Sequence, residues 1–279
     1  MGDRYTLLLL EGIIMKASMF LRIYEKNDLL PNVLYSIARQ KVLFDLEICV
    51  CIDGDSHDPE PLVKKYLPDA KFFRYERCGA QAMNSHCLDV ISPDSDVIII
   101  QSCDVIHCYK DTIEKLCMGV GKKVMCSAEV RDMKVNPYLY KDYENGINEL
   151  MKSSWDTGKV KAGIVPKRRR AFFFFLAAIR KDDFESLHLS KEAWCDSIVT
   201  PKLMNMGFDS YFPPGIRGIH QSHDVKISPC PLMTKECGKI QHPDIYGTCK
   251  VASYFRNIGI KTEEDYKKFM KEGGKPICL

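Results

Sequence analysis

Two kinds of apolar spacing alternate through the first half of the chain. Ser18–Tyr24 (SMFLRIY) is a short apolar run compatible with a β-strand. Asn27–Gln40 instead places Leu30, Val33, Leu34 and Ile37 at helical intervals, with Asn27 or Asp28 near its cap. Leu46–Asp53 (LEICVCID) has the pattern of a buried strand ending in acids and glycine, and a short helix is predicted over Pro59–Tyr66. Lys71–Tyr75 predicts a further strand and Ala80–Val90 a further helix. Asp96–Gln101 (DVIIIQ) predicts the central strand, because its consecutive β-branched residues favour extended geometry.

This rhythm of strand and helix implies a mostly parallel sheet with helices on both faces. In such sheets ligands bind outside the carboxyl ends of the strands. Tyr24–Lys26, Asp53–Asp58 and Gln101–His107 are therefore the candidate site loops. The second half is less regular. Strands are predicted over Lys122–Ala128, over Ala171–Ile179 (AFFFFLAAI) behind the basic run Lys167–Arg170, and over Phe208–Phe212. A helix is predicted over Glu192–Met206. Beyond Asp224 the chain is rich in Pro, Gly and Cys until a charged helix near Thr262–Lys271.

Composition narrows this picture without redirecting it. At 279 residues, 46% hydrophobic and 28% charged, the chain fits one α/β domain with a small C-terminal extension and excludes a disordered or collagen-like chain. A net charge of +3 makes no whole-protein case for nucleic acid. The thirteen cysteines are odd in number, and several (Cys49, Cys51, Cys126) sit inside apolar runs, which suits a reduced intracellular chain. Leu7–Met15 is interrupted by Glu11 and Gly12 and is too short to span a bilayer. The expectation is a soluble, cytoplasmic protein without a membrane span.

Acids stand at strand ends: Asp53 and Asp55 after the second strand and Asp104 after the fourth. Asp196 heads a later helix, and His220 and His223 follow near the end of the regular pattern. Carboxylates and imidazole around a divalent cation, with room for phosphate oxygens, are what a diphosphate leaving group requires.

In this order the segments resemble the GT-A glycosyltransferases, specifically the large family-2-like group, over roughly residues 18 to 223. Tyr24-Glu25-Lys26 with Leu29-Leu30-Pro31, Ser36 and Gln40 resembles the group's opening strand and helix. Ile52–Asp58 (IDGDSHD) resembles its Val-Asp-Asp-Gly-Ser-Thr-Asp segment, and Gly79 to Asn84 (GAQAMN) its Gly-x-x-x-Ala-x-Asn helix start. Ile98–Asp104 (IIIQSCD) stands in the place of the Asp-x-Asp metal motif, with Ser102-Cys103-Asp104 lacking the first acid. Trp194-Cys195-Asp196 resembles the acceptor-side Glu-Asp motif, with Cys195 in place of Glu. Met206-Gly207 to Pro213 resembles the strand that closes the unit.

The resemblance implies a single GT-A (Rossmann-like) domain over 1–223, with a nucleotide-sugar half at about 17–128 and an acceptor half at about 129–223. Residues 224–279 would form an extension packing on it. It implies a glycosyltransferase, inverting and assisted by Mn²⁺ or Mg²⁺, moving a sugar from a UDP-sugar to a hydroxyl of a glycan or glycoprotein. Tyr24, Asp53, Asp55, Gly79, Asn84, Ser102 and Cys103 would bind the donor, Asp53 by accepting the base's ring N–H; Asp53 can equally cap a turn. Asp104 with His220 or His223 would hold the metal, and Asp196 would be the general base or, on the plainer reading, a helix-terminal acid. Trp194 and Tyr138 are acceptor-side candidates. Lys167–Arg170 reads mainly as a solvated charge run. Cys230, Cys237, His242 and Cys249 are zinc-capable but lack a Cys-x-x-Cys knuckle. The alternatives are a nucleotidyltransferase, against which RIYEKND lacks a Gly-rich basic loop, and a sugar-binding scaffold with weakened catalysis.

Overall fold

The computed structural model describes residues 15–23, 28–54, 58–76, 82–155, 163–164, 174–188, 203–221, 268 and 272. Its elements are β1 (Lys16–Ile23), α1 (Leu30–Ala38), β2 (Asp45–Asp53), α2 (Glu60–Tyr66), β3 (Lys71–Tyr75), a 3₁₀ turn (Ala82–His86) running into α3 (Cys87–Val90), and β4 (Val97–Ser102). There follow β5 (Val105–His107), α4 (Thr112–Gly119), β6 (Val124–Ser127), β7 (Glu129–Met133), a second 3₁₀ turn (Leu139–Asp142) and α5 (Tyr143–Trp155). Last come β8 (Gly163–Ile164), β9 (Leu176–Arg180), α6 (Lys181–Glu185), β10 (Asp209–Phe212) and β11 (Arg217–Gln221).

One sheet of eight strands has the order β3-β2-β1-β4-β9-β6-β10-β8. Strands β1 to β4, β6 and β10 share one direction, and only β8 and β9 oppose them. A smaller sheet has the order β5-β11-β7, in which β11 is antiparallel to β5 and parallel to β7.

The alternating side chains of the central strands explain why helices lie on both faces. Met19 and Leu21 of β1 and Val97 and Ile99 of β4 pack into one buried cluster with Leu34 and Ile37 of α1 and Ile113 and Leu116 of α4. Phe20, Ile98 and Ile100 face the other way, onto Met83 and Cys87 of the 3₁₀–α3 segment and Phe184 of α6. A strand buried on both sides must be apolar at every position, which is what the isoleucine run of β4 supplies. The seven described cysteines are all buried. Burial pushes the Cys49 and Cys108 thiols up to about 12, so they behave as small apolar side chains, as their place in apolar runs suggests.

Three elements depart from the sequence expectation. Helix α1 starts at Leu30 behind Leu29, with Pro31 in its first turn and no side-chain cap, so Asp28 does not cap it. Of the helix expected over Ala80–Val90, the described residues form a 3₁₀ turn over Ala82–His86 and one short α-turn over Cys87–Val90. Of the strand expected over 171–179, residues 171–173 lie outside the described residues, and the described part forms an antiparallel strand over Leu176–Arg180. Among the described residues no helix is long and apolar enough to cross a membrane.

The amino-terminal edge of the sheet is fastened by one carboxylate. Glu47 accepts hydrogen bonds from Ser18 Oγ at 2.6 Å and from the Ser92 amide at 2.9 Å, and pairs with Lys71. Burial works to raise its pKa, but the Lys71, Ser18 and Ser92 bonds outweigh it and hold the carboxyl down at about 2. A carboxyl depressed on folding contributes stability above its unfolded pKa and loses it as pH falls through the folded one. Glu47→Gln is therefore expected to cost ~1 kcal/mol at pH 7, a figure kept small by the exposure of Lys71. In chemical denaturation the gap between wild type and variant should close between about pH 5 and pH 2. A gap that does not change with pH would show that Glu47 acts through shape alone.

Candidate active site at the carboxyl ends of the strands

Two buried carboxylates stand at the carboxyl-terminal edge of the large sheet, on either side of β1. Arg22 of β1 is level with Cys51 of β2 on one side and with Ser102 of β4 on the other. Asp53, at the end of β2, and Asp104, in the turn after β4, each lie two residues further on, so β1 runs between the two strands that carry them. Both are buried, at 3% and 5% exposure.

Asp53 ends β2 opposite Tyr75 of β3, and Gly54 turns the chain away with φ of 90°, a left-handed value that favours glycine. The Gly54 amide donates to Tyr75 O at 3.0 Å. Beside it the Tyr75 ring stacks on His86, centroids 4.2 Å apart and 23° from parallel. Asn84, in the 3₁₀ turn that carries His86, is buried with its Oδ1 lacking a hydrogen-bond partner among the described residues. A carboxylate, a stacked pair of flat rings and an unused amide oxygen thus gather at one end of the β2–β3 ladder.

The second group is built by the small sheet. β5 begins immediately after Asp104 and pairs antiparallel with β11, Val105 opposite His220. The Gln221 amide donates to Asp104 O at 2.7 Å and closes the join. His220 Nε2 lies 3.2 Å from Asp104 Oδ2, both side chains nearly buried, and Ser102 Oγ donates to Asp104 Oδ1 at 2.5 Å. The Phe175 ring walls this pair, 5.4 Å from the imidazole. Gly218 lets the strands close: a Cβ there would meet Val105 Cγ1 at 3.0 Å and Val130 Cγ2 at 3.3 Å. Among the described residues no group of three or more His, Cys, Asp or Glu forms a metal cage, so Asp104 and His220 stand as a pair.

Of the other candidates, Cys103 is buried within the apolar core beside this turn. Tyr138 is 62% exposed, with Lys141 Nζ 4.8 Å from its ring centroid. Tyr24, Asp55, Gly79, Trp194, Asp196 and His223 lie outside the described residues, as do Lys167–Arg170 and the Cys-rich segment from Cys230 to Cys249. Sequence reasoning passed over Arg22, a buried cation between the two carboxylate-bearing strands whose Nη2 donates to Phe174 O at 2.7 Å. Its signal was an arginine inside the apolar run FLRI, since arginine is almost never buried without a role or a partner.

With this geometry in view, the chain can be set beside known structures. It matches no protein-family model and no curated protein by sequence. It is similar in fold to GalNAc-T7 crystallised with UDP, GalNAc and Mn²⁺, at TM-score 0.54 and 13% identity over 76% of this chain and 44% of that one. It is also similar to the mannosyltransferase PcManGT of Pyrobaculum calidifontis in complex with GDP-Man and Mn²⁺, at TM-score 0.51 and 16% identity over 94% of this chain and 77% of that one. S. aureus TarS matches at TM-score 0.52 and 12% identity over 75% of this chain and 37% of that one. The chain thus spans less than half the length of GalNAc-T7 and of TarS. The fold is the GT-A fold, a mainly parallel α/β sheet with helices on both faces.

The close β5–β11 approach can be tested directly. Gly218→Val should destabilise the protein by about 1–3 kcal/mol, because the added methyls meet packed side chains on both neighbouring strands. Chemical denaturation reads the cost, and a loss under ~0.5 kcal/mol would show that the strands part freely.

Proposed function

We propose that the protein is a glycosyltransferase that uses a nucleotide-sugar donor and a divalent cation to glycosylate an acceptor hydroxyl. The observation that carries the reading is the Asp104–His220 pair, set at the carboxyl edge of a GT-A sheet beside a second buried carboxylate, Asp53.

The donor set fits a metal such as Mn²⁺ or Mg²⁺: one carboxylate and one imidazole 3.2 Å apart supply hard and borderline ligands, and leave coordination positions for phosphate oxygens and water. Ser102 stands where the resemblance expects the first acid, and its hydroxyl orients Asp104 instead of adding charge. When bound, the cation supplies positive charge against the departing diphosphate. Asp53 with the Tyr75–His86 stack is suited to a flat base, the carboxylate accepting a ring N–H such as uracil N3–H. Asn84, Ser102 and Cys103 border the donor, and Tyr24, Asp55 and Gly79 complete its loops.

The reaction is a single in-line displacement. The acceptor oxygen bonds to the anomeric carbon as the bond from that carbon to the diphosphate oxygen breaks. The hydroxyl proton passes to a carboxylate, assigned to Asp196, and the configuration inverts. Trp194 and Tyr138 belong to the acceptor side, and the acceptor is a glycan or glycoprotein hydroxyl. The mannosyltransferase and GalNAc-T7, crystallised with nucleotide or nucleotide-sugar and Mn²⁺, support the nucleotide-sugar donor and the divalent cation in this reading.

Thermal unfolding with UDP, GDP and their sugars, with and without Mn²⁺, tests the reading. UDP plus Mn²⁺ at about 100 times Kd should raise Tm by roughly 5–10 °C, and Asp104→Ala should abolish the shift. Equal shifts in wild type and Asp104→Ala would remove the pair from the site. Glycan binding without any donor turnover would instead favour a sugar-binding scaffold.

A further inference from the structure

Helix α1 faces the core with an apolar stripe, yet two of its fully buried side chains are polar. Asn32 and Ser36 lie one helical turn apart on that face. Buried polar groups are costly unless bonded, and both find partners well beyond the helix. Asn32 Nδ2 donates to Gln221 Oε1 at 2.9 Å and to Asn136 O at 3.0 Å, and its Oδ1 accepts the Tyr140 amide at 2.9 Å. Gln221 adjoins His220, and its own amide holds Asp104 O.

Ser36 feeds the second arm. Its Oγ accepts the His107 amide at 3.2 Å while donating to Val33 O at 2.8 Å. The His107 ring Nε2 meets Gln101 Oε1 at 2.9 Å, and Gln101 Nε2 donates to Ser102 O at 2.7 Å and Val105 O at 2.8 Å. With both amide hydrogens of Gln101 committed to carbonyls, its oxygen must accept, which assigns the His107 proton to Nε2. Burial, reinforced by the charge of Arg39, pushes the His107 pKa down to about 3, so this proton arrangement holds through neutral pH. The two arms meet on the same four-residue turn. Gln101 ties down Ser102 O and Val105 O, and Gln221 N ties down Asp104 O between them.

We propose that Asn32 and Ser36 are positioning residues: through Gln221, and through His107 and Gln101, they set where Asp104 and His220 stand relative to each other. The inference rests on reading that pair as a cation site. It adds that the preorganisation comes from one face of α1, outside the loops that would touch substrate.

The test uses full-length Asn32→Asp, Ser36→Ala and Gln101→Met, with Glu47→Gln as a destabilised control remote from the network. Two quantities are read on each folded variant: Mn²⁺ affinity by electron paramagnetic resonance with UDP present, and the imidazole ¹⁵N and ¹³Cε1 NMR signals of His220 without metal. The three network variants should lose Mn²⁺ affinity by about 10-fold or more and shift the His220 signals, while the control does neither. Unchanged affinity and unchanged signals in the network variants would overturn the inference and reduce the network to packing. A wild type that binds no Mn²⁺ would sink the proposed function. The His220 signals alone would then decide the positioning role, standing if they move in Ser36→Ala and falling if they do not. Should Gln101→Met fail to fold, Ser36→Ala, which removes a single hydroxyl, carries the same decision.

Discussion

The antiparallel contact between β5 and β11 is the constraint on which the site depends. It joins the segment that leaves the central strand β4 to the strand that closes the described fold, and so brings Asp104 against His220. Without it, Asp104 would be an acid in a turn and His220 a residue on a distant strand. The contact is short, three paired positions, and closes only because Gly218 presents no side chain to Val105 and Val130. A three-residue pairing is weak alone. What makes it firm is the buried polar network behind it, where Asn32 bonds Gln221, Ser36 bonds the His107 amide, and Gln101 bonds the His107 ring and the turn. In a low-dielectric interior a satisfied network fixes one geometry, whereas a half-satisfied one carries a heavy desolvation cost.

Much of the fold was legible because the physics that writes the pattern is local. β1 to β4 read directly as apolar runs, and Lys71–Tyr75 came out with the observed ends. The direction of β9 did not, since alternation of inward and outward side chains is the same for parallel and antiparallel neighbours. The small sheet was missed for a different reason. β7 reads EVRDM and β11 reads RGIHQ, too short and too charged to stand out, and their pairing is set by tertiary contacts. Helix α5 was also passed over, though Tyr143, Ile147, Leu150 and Met151 recur at helical spacing among acids and a glycine that obscured it.

The site was legible where acids end strands. Asp53 and Asp104 follow the carboxyl ends of β2 and β4, with β1 between them, because a strand buried on both faces is apolar and its polar residues fall at its end. The choice of His220 as partner needed the β5–β11 register, which no spacing in sequence carries. Asn32 and Gln221 carried no role in the sequence reading, and Gln101 entered it only as the end of the β4 run and the start of the loop after it. Only the fold shows that Asn32 bonds Gln221, and that Gln101 bonds His107 and the carbonyls of the turn. Arg22 belongs to the same class, a charged residue whose burial is evident only once β9 and the preceding segment cover it.

Crystals grown with UDP and Mn²⁺, with diffraction recorded at the manganese absorption edge, test the central claim most directly. The account predicts one anomalous peak bonded to both an Asp104 carboxylate oxygen and His220 Nε2, with diphosphate oxygens completing its shell. Well-ordered nucleotide at this edge of the sheet with no manganese touching Asp104 or His220 would contradict it.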